Sequence, residues 1–389
     1  MNSTATAPIS SRSAFLLSQR NGWTCYTAMS GDDKLATFVP TTERTRFDPA
    51  LRFGPGSFAL SRFAYMRREE NDLVLESPLA GSQILVHHSS AMALVSAFVS
   101  PVRAAEVSLS SEAEAVLTIL VNSGAIVECD ETGRERELAG SSQWEFHDLL
   151  FHARSRLGRH ANPYGGRIPA PFAIESIEEP FEGIELYAPD IEKLKRDDPP
   201  FAQVVEMRRS VRTGGKAPIT ARELGEFLYR SARARSEGNR PYPSAGGCYE
   251  LELYSVVQRC EGVDAGLYHY RPRSHRLRRV AEPNEDVTDL LARARIATGE
   301  TAEPQILIVY AARMERLTAR YQGVPYALAL KDAGVLQQTM CLTATAMGLA
   351  GCPLGGGDSD AFARASGRDY YRETSVGEFM LGSLPEAQK

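Results

Sequence analysis

Seven of the 22 prolines fall between residues 163 and 200, at positions 163, 169, 171, 180, 189, 199 and 200. Proline fixes φ and removes a backbone donor, so this stretch cannot be continuous helix or central strand. It also carries Glu175, Glu178, Glu179, Glu182 and Glu185, an acidic string expected to be solvated. The chain is therefore expected to divide around a Pro-rich linker at 141–200. With 389 residues, and roughly 150 per domain as a prior, both sides are long enough to bury a core.

Residues 1–50 read as a ragged N-terminal segment. Its one short apolar patch, Ala14 to Leu17, is no signal-peptide h-region, and a cytoplasmic location is expected. From 51 to 140 short strands and helices alternate. Phe58 to Tyr65 has period-two alternation, Asp72 to Pro78 reads as a strand, and Ser90 to Phe98 has helical spacing. Ser110 to Gly124 is a helix with a Ser cap, early acids and a closing Gly, and Ala125 to Cys129 is again strand-like. Helices feeding a small β element look like a winged-helix module. Reading DNA would require a basic recognition helix, which is absent. The net charge of −5 provides no basic face for nucleic acid or anionic membrane. Peptide docking is the expected role of this module. Apolar runs fall short of the roughly 20 residues of a membrane helix. The six cysteines show no C-x-x-C and no nearby His, so they read as packed thiols rather than a disulfide framework or zinc site.

From 201 to 389 the pattern alternates helices (near 202–212, 220–236 and 332–349) with strands (Glu250 to Gln258, Leu267 to Arg271, Gln305 to Ala311), making the chain α+β overall. Ile219-Thr220-Ala-Arg-Glu223 is a capping-box start. Four clusters here could carry chemistry. Arg208-Arg209-Ser210-Val211-Arg212 offers permanent forked donors for a phosphate or heterocycle, or a solvated surface. Arg240-Pro-Tyr-Pro-Ser-Ala-Gly-Gly-Cys-Tyr-Glu250 can bring backbone N–H groups to a flat ligand, or simply turn into a strand. Thr318 to Tyr326 leads into the helix-opening Lys331-Asp332-Ala-Gly334. Gly348 to Asp358 holds three consecutive glycines, which permit close backbone approach to a ligand or form a tight turn.

None of these is decisive alone, but their order and spacing together resemble one family. Residues from about 201 to 384 look like the nitroreductase superfamily, most of all the SagB-type azoline dehydrogenases of thiazole/oxazole-modified peptide pathways. The likeness is carried by Arg208-x-Ser210-x-Arg212, the Pro243-Ser244-Ala245-Gly246-Gly247 loop entering Leu251-Glu-Leu-Tyr254, and Gly266-Leu-Tyr-His-Tyr270. Asp332-Ala-Gly334-x-x-x-Gln338 and Cys352-Pro-Leu-Gly-Gly356 add to it. Trp144 to His152 with Arg156-x-Gly-Arg-His160 is similar to the segment that precedes the oxidase core in that family.

The resemblance implies a mixed sheet flanked by helices in an intertwined homodimer that binds FMN at its interface. It implies that Arg208, Ser210 and Arg212 hold the phosphate, ribityl chain and pyrimidine edge. It further implies that Pro243, Ser244, Ala245 and Gly246 contribute from the partner subunit, and that Pro353, Leu354, Gly355 and Gly356 pass their backbone by the isoalloxazine. A peptide substrate, engaged through its leader, and a cyclodehydratase partner follow from the same likeness. Two departures matter. The Lys-Tyr pair of the family aligns with Arg320-Tyr321, and the usual C-terminal basic residue is missing from Gly382-Ser-Leu-Pro385. Arg cannot accept a proton, so Tyr321 is expected as the base, with Arg320 as its electrostatic partner and Tyr326 as a substrate or flavin neighbour. His269 and His275 are fallback bases, His275 being expected to be exposed and uninvolved. An NAD(P)H-fed flavin reductase of small acceptors and a catalytically silent scaffold remain as alternatives.

Overall fold

The computed structural model describes residues 15–20, 22–51, 56–103, 106, 110–136, 140–167, 182–299 and 303–386. Glu175, Glu178 and Glu179 lie outside them. The chain forms two compact units, Met1–Tyr164 and Gly165–Lys389. Among the described residues no helix is long and apolar enough to cross a membrane.

The first unit begins with β1 (Phe15–Arg20), β2 (Trp23–Ser30) and β3 (Asp33–Pro40). There follow β4 (Ser57–Leu60), β5 (Tyr65–Glu69), β6 (Asp72–Glu76), β7 (Ser82–Val86), α1 (Ser89–Ala97), β8 (Val102–Arg103), α2 (Ser111–Asn122), β9 (Ile126–Cys129) and α3 (Phe146–Arg154). Six strands make an antiparallel sheet in the order β1-β2-β3-β7-β6-β5, and three more make a small sheet, β8-β4-β9. Helix α2 starts as its sequence dictates: the Ser110 side chain accepts from the Ala113 N–H, and Glu112 and Glu114 occupy the first turn, where the helix dipole favours acids.

The packing does not follow the expected boundaries at 50 and 140. Ala28, Leu35 and Phe38 from the N-terminal strands share one core with Val95 and Phe98 near α1, Val116 and Ile119 of α2, and Phe58 and Ile126 of the small sheet. Phe47 ties this core together, stacking on Tyr26 at 4.2 Å. The helices and small sheet of the expected module are thus present, but they bury their apolar faces against a sheet that starts at Phe15.

The second unit comprises β10 (Gly165–Gly166), β11 (Ile184–Glu185), α4 (Ile191–Asp197), α5 (Phe201–Met207), β12 (Ile219–Thr220), α6 (Ala221–Ala232), β13 (Leu251–Val257), β14 (Cys260–Glu261), β15 (Gly266–Arg271) and β16 (Arg276–Ala281). It continues with α7 (Glu285–Ala297), β17 (Ile306–Arg313), α8 (Met314–Thr318), β18 (Tyr321–Gln322), α9 (Pro325–Ala346), β19 (Leu349–Leu354), α10 (Ser359–Ser366) and β20 (Glu373–Ser383). Seven strands form one sheet in the order β11-β16-β15-β13-β17-β20-β19. Every neighbouring pair in it is antiparallel, so the expected mixed sheet is replaced by an antiparallel one. Among the described residues the parallel pairing is the short β12–β14 contact.

Both faces of this sheet are apolar, which explains the uninterrupted hydrophobic run of β17. Alternate residues point to opposite faces. Ile306, Ile308, Tyr310 and Ala312 meet Leu224, Phe227 and Leu228 of α6 and Leu336 and Met340 of α9. Leu307, Val309 and Ala311 meet Leu290 and Leu291 of α7 and Phe362 of α10. Each fully buried Leu, Ile or Phe contributes on the order of 1.5–3 kcal/mol. The capping box at Thr220 forms as predicted, with both reciprocal bonds to Glu223 present. The helix limits differ from those expected, α6 ending at Ala232 and α9 at Ala346, and the largest differences have clear causes. Helix α5 stops at Met207 because the chain turns extended at Arg208, and the Val211 N–H bonds the Gly351 carbonyl at 3.0 Å. Helix α9 starts seven residues early, with Pro325 in its first turn, where the missing N–H is harmless.

Gln305 acts as a buckle. Its Oε1 accepts from Ile219 N at 2.8 Å and Ser383 N at 3.1 Å, while its Nε2 donates to the carbonyls of Gly215 and Ala217, each at 2.9 Å. The loop after Arg212 is thereby fastened to the last strand.

Candidate active site

Three patches of the second unit hold the residues expected to work, and α9 touches all of them. The first is the arm Arg208–Arg212, which runs along the open edge of β19. Arg208 lies against Cys341 of α9, and Ser210 and Arg212 lie against Cys352 of β19. Burial pushes both thiols up, against the opposing effect of the neighbouring guanidiniums, so these cysteines stay neutral. Arg208 is half-buried and Arg212 exposed. Neither has a carboxylate partner among the described residues, so both guanidiniums are available to an anion.

The second patch is the loop Pro243 to Gly246 with Arg320 and Tyr321. Ser244 Oγ donates to Glu250 Oε2 at 3.0 Å and accepts from Tyr249 N at 2.9 Å. The Ala245 N–H donates to Asp332 Oδ2 at 2.8 Å, which pins the loop to α9. Arg320 Nη1 donates to the Gly246 carbonyl at 2.5 Å. Gly246 is left-handed, with φ +58°, and a Cβ there would overlap the Tyr321 hydroxyl; only glycine fits beneath the phenol. Pairing of Gly166 with Tyr321 in the β10–β18 ribbon fixes the backbone of that tyrosine.

The third patch is an open pocket of about 350 Å³, within the range of small-ligand sites. Tyr326, Leu330, Ala333, Gly334 and Gln337 of α9 form one wall, and Leu354 to Gly357 with Val376 to Glu378 form another. A Cβ built on Gly355 or Gly356 meets nothing within 4 Å, so this stretch of backbone lies open to a flat ligand. The structure thus brings Tyr326 together with Leu354, Gly355 and Gly356. It also brings Arg320 and Tyr321 together with Ala245 and Gly246. It does not bring Tyr321 into the pocket within one chain.

Two buried carboxyls were missed by sequence reasoning. Glu250 is fully buried, with Oε1 unpartnered. Burial, and next the charge of Asp332, push it up to about 7. Glu378 in β20 is 2 % exposed, with Oε2 unpartnered. Burial, and next the charge of Asp358, push it up to about 7 as well. The available signal was a single acid inside the apolar run Val376 to Leu381.

The histidines do other work. His269 Nε2 lies 2.8 Å from Glu252, which also pairs with Arg316 at 2.9 Å. Burial alone would raise Glu252, but His269, Arg313 and Arg316 overcome it and hold this carboxyl well below the usual range. His269 is therefore a hydrogen-bond partner of a buried carboxylate that arginines also pair with. His275, expected to be exposed, is 9 % exposed. Its ring bonds the Tyr270 hydroxyl at 2.9 Å and the Tyr187 carbonyl at 3.0 Å, because the Arg-rich turn folds back over β15. Neither histidine lines the pocket.

Comparison with known proteins adds the following. Residues 58–161 match the family described as cyanobactin oxidase ThcOx, and residues 205–382 match the nitroreductase family. A protein of Methanocaldococcus jannaschii described as a nitroreductase is 35% identical over 167 residues, which is 43% of this chain and 81% of that protein. The microcin B17-processing protein McbC of Escherichia coli is 29% identical over 143 residues, 34% of this chain. The match covers 51%, about half, of the length of McbC. The E. coli microcin synthetase McbBCD complex with truncated pro-MccB17 contains a chain of TM-score 0.41 and 22% identity, with 55% of this chain and 79% of that one covered.

Proposed function

From the premise that the chain belongs to the nitroreductase family and is an oxidoreductase, we propose that it dehydrogenates azoline rings in a peptide to the aromatic azoles, with FMN as cofactor. The observation that carries this reading is the presence in one chain of a cyanobactin-oxidase segment and a nitroreductase unit. The microcin-processing relative supports a peptide substrate and, beside it, a cyclodehydratase partner that makes the azoline. The first unit is the part suited to hold the peptide.

The residues present fit FMN. Arg208 and Arg212 supply two guanidiniums without carboxylate partners for the phosphate, and Ser210 between them supplies a hydroxyl. The open backbone of Gly355 and Gly356 suits a flat ring, and the unpartnered Oε2 of Glu378 is a buried polar atom beside the same pocket. When bound, FMN accepts the hydride that leaves one carbon of the azoline. The proton on the neighbouring carbon goes to Tyr321 Oη in this reading. Arg320 holds the Gly246 turn against which that phenol rests, so its part in this reading is to position the phenol. Tyr321 is not among the residues lining the pocket of its own chain, so the reading places the complete site between two copies, with loop Pro243 to Gly246 serving the pocket of the other.

An azoline-bearing peptide mixed anaerobically with the yellow protein should bleach it and lose two hydrogens by mass, while NAD(P)H leaves the colour intact. Rapid bleaching by NAD(P)H with the peptide unchanged would instead establish a reductase of small acceptors. A colourless protein that FMN cannot restore would establish a scaffold. Arg208→Ala should weaken FMN retention by about 2 kcal/mol, roughly 30-fold, because it removes a charge-assisted contact. Equilibrium dialysis at low protein concentration measures this, and full occupancy in the variant would remove Arg208 from the cofactor site.

A further inference from the structure

Glu378 has no assigned task, and its surroundings are unusual for a carboxyl. It lies on β20 opposite Val309 of β17 and Leu354 of the edge strand β19. A Cβ on Gly357 would overlap its carboxyl, so the group is pressed against the backbone of the triglycine turn that forms the pocket wall. No cation pairs with it among the described residues. The charged and titratable groups that face it are Asp358, which is itself paired with Arg293 at 3.3 Å, and the buried Tyr310. The Gln337 amide reaches its backbone carbonyl at 3.4 Å rather than its carboxyl.

We propose that Glu378 is a proton store for the pocket: it takes up a proton when negative charge enters beside the triglycine turn and releases it when that charge leaves. The inference rests on the reading of the pocket as an FMN site. A buried carboxylate with no cation beside it feels a neighbouring anion at low dielectric, so the two repel far more strongly than they would in water. The cheapest relief is protonation. The group is already poised for this, since burial and Asp358 place its titration at about 7. Two-electron reduction of FMN with one proton leaves one negative charge on the ring. The carboxylate then takes a second proton from solvent and becomes the neutral acid, so charge in the pocket is balanced. Reoxidation removes the negative charge and returns that proton. Glu378 does not need to touch substrate for this; it acts on the cofactor through the charge of the pocket.

The test uses full-length protein reconstituted with FMN and reads midpoint potential and proton uptake across about pH 6 to 9, a span that brackets the carboxyl titration. In wild type, reduction should consume one proton per two electrons at the acid end and two above neutrality, doubling the slope of potential against pH. Glu378→Gln should consume one throughout. A reduced-minus-oxidised infrared spectrum of wild type at alkaline pH should show a protonated carboxyl appearing, a readout that needs no variant. A yellow wild type that takes up one proton at every pH, with no such band, overturns this proposal and leaves the assigned function standing. A wild type that FMN cannot colour overturns both.

Discussion

Replacing Tyr321 by Phe should leave the protein yellow but reduced far more slowly by its substrate. In the proposed reaction the phenol contributes its oxygen to proton removal, while its ring packs at the edge of the core and its hydroxyl rests over Gly246. Phe keeps that packing and takes away the acceptor. General-base removal typically costs about 10²–10⁴ in rate, so anaerobic mixing with substrate should show flavin reduction slowed by that factor at unchanged flavin content. Reduction at the wild-type rate would move the base elsewhere. Arg320→Lys is the companion variant: it keeps a positive charge near Gly246, should retain part of the activity, and should shift its pH optimum.

Glu250→Gln should make the second unit more tolerant of alkaline pH. Glu250 titrates near 7 in the fold against about 4.3 in an unfolded chain. As pH rises between those values the unfolded state gives up its proton first, so it binds fewer protons than the native state and stability falls with pH. That stabilisation is fully present below about pH 4 and lost once the pH passes the folded value near 7, a change of about 3–4 kcal/mol at 1.36 kcal/mol per unit. Gln keeps the shape, can accept from Ser244 as the carboxyl does, and carries no charge to clash with Asp332. Unfolding midpoints at about pH 5 and pH 8, read on flavin release, should lie much closer together in the variant than in wild type. Glu378 contributes a fall of the same sign, so some slope should persist. An unchanged difference between the two midpoints would show that Glu250 is ionised in both states.

What the sequence made legible was local or apolar. The capping box at Thr220 and the Ser110 cap rest on hydrogen bonds within a single turn, and both form. The run Ile306 to Ala312 is central because its side chains are buried on both faces of the sheet. The triglycine turn and Tyr326 converge because α9 and β19 are joined by two residues and must pack side by side. The unread parts depend on partners far along the chain. Strands β1 to β3 could not be recognised as core, because their apolar residues find α2 only after about eighty intervening residues have folded. His275 looked exposed from its Arg-rich neighbours, yet its ring is claimed by Tyr270 and Tyr187. Glu378 was invisible as a functional group for a similar reason. A lone acid in an apolar strand acquires meaning only when Gly357 and Asp358 are set beside it.

The Gln305 buckle has a consequence for the order of assembly. One side chain fastens the loop after Arg212 to the last strand across 86 residues on one side and 78 on the other, and Ser383 reaches Ala217 across 166. Contacts of such long range close late, because chain entropy must be surrendered before they yield anything. The arm that carries Arg208, Ser210 and Arg212 therefore settles only after β17 and β20 have met. A cofactor held by that arm would meet a framework already closed. In a chain emerging from the ribosome that arm stays unfastened until β20 is synthesised, so an incomplete product would carry the three side chains on a loose loop.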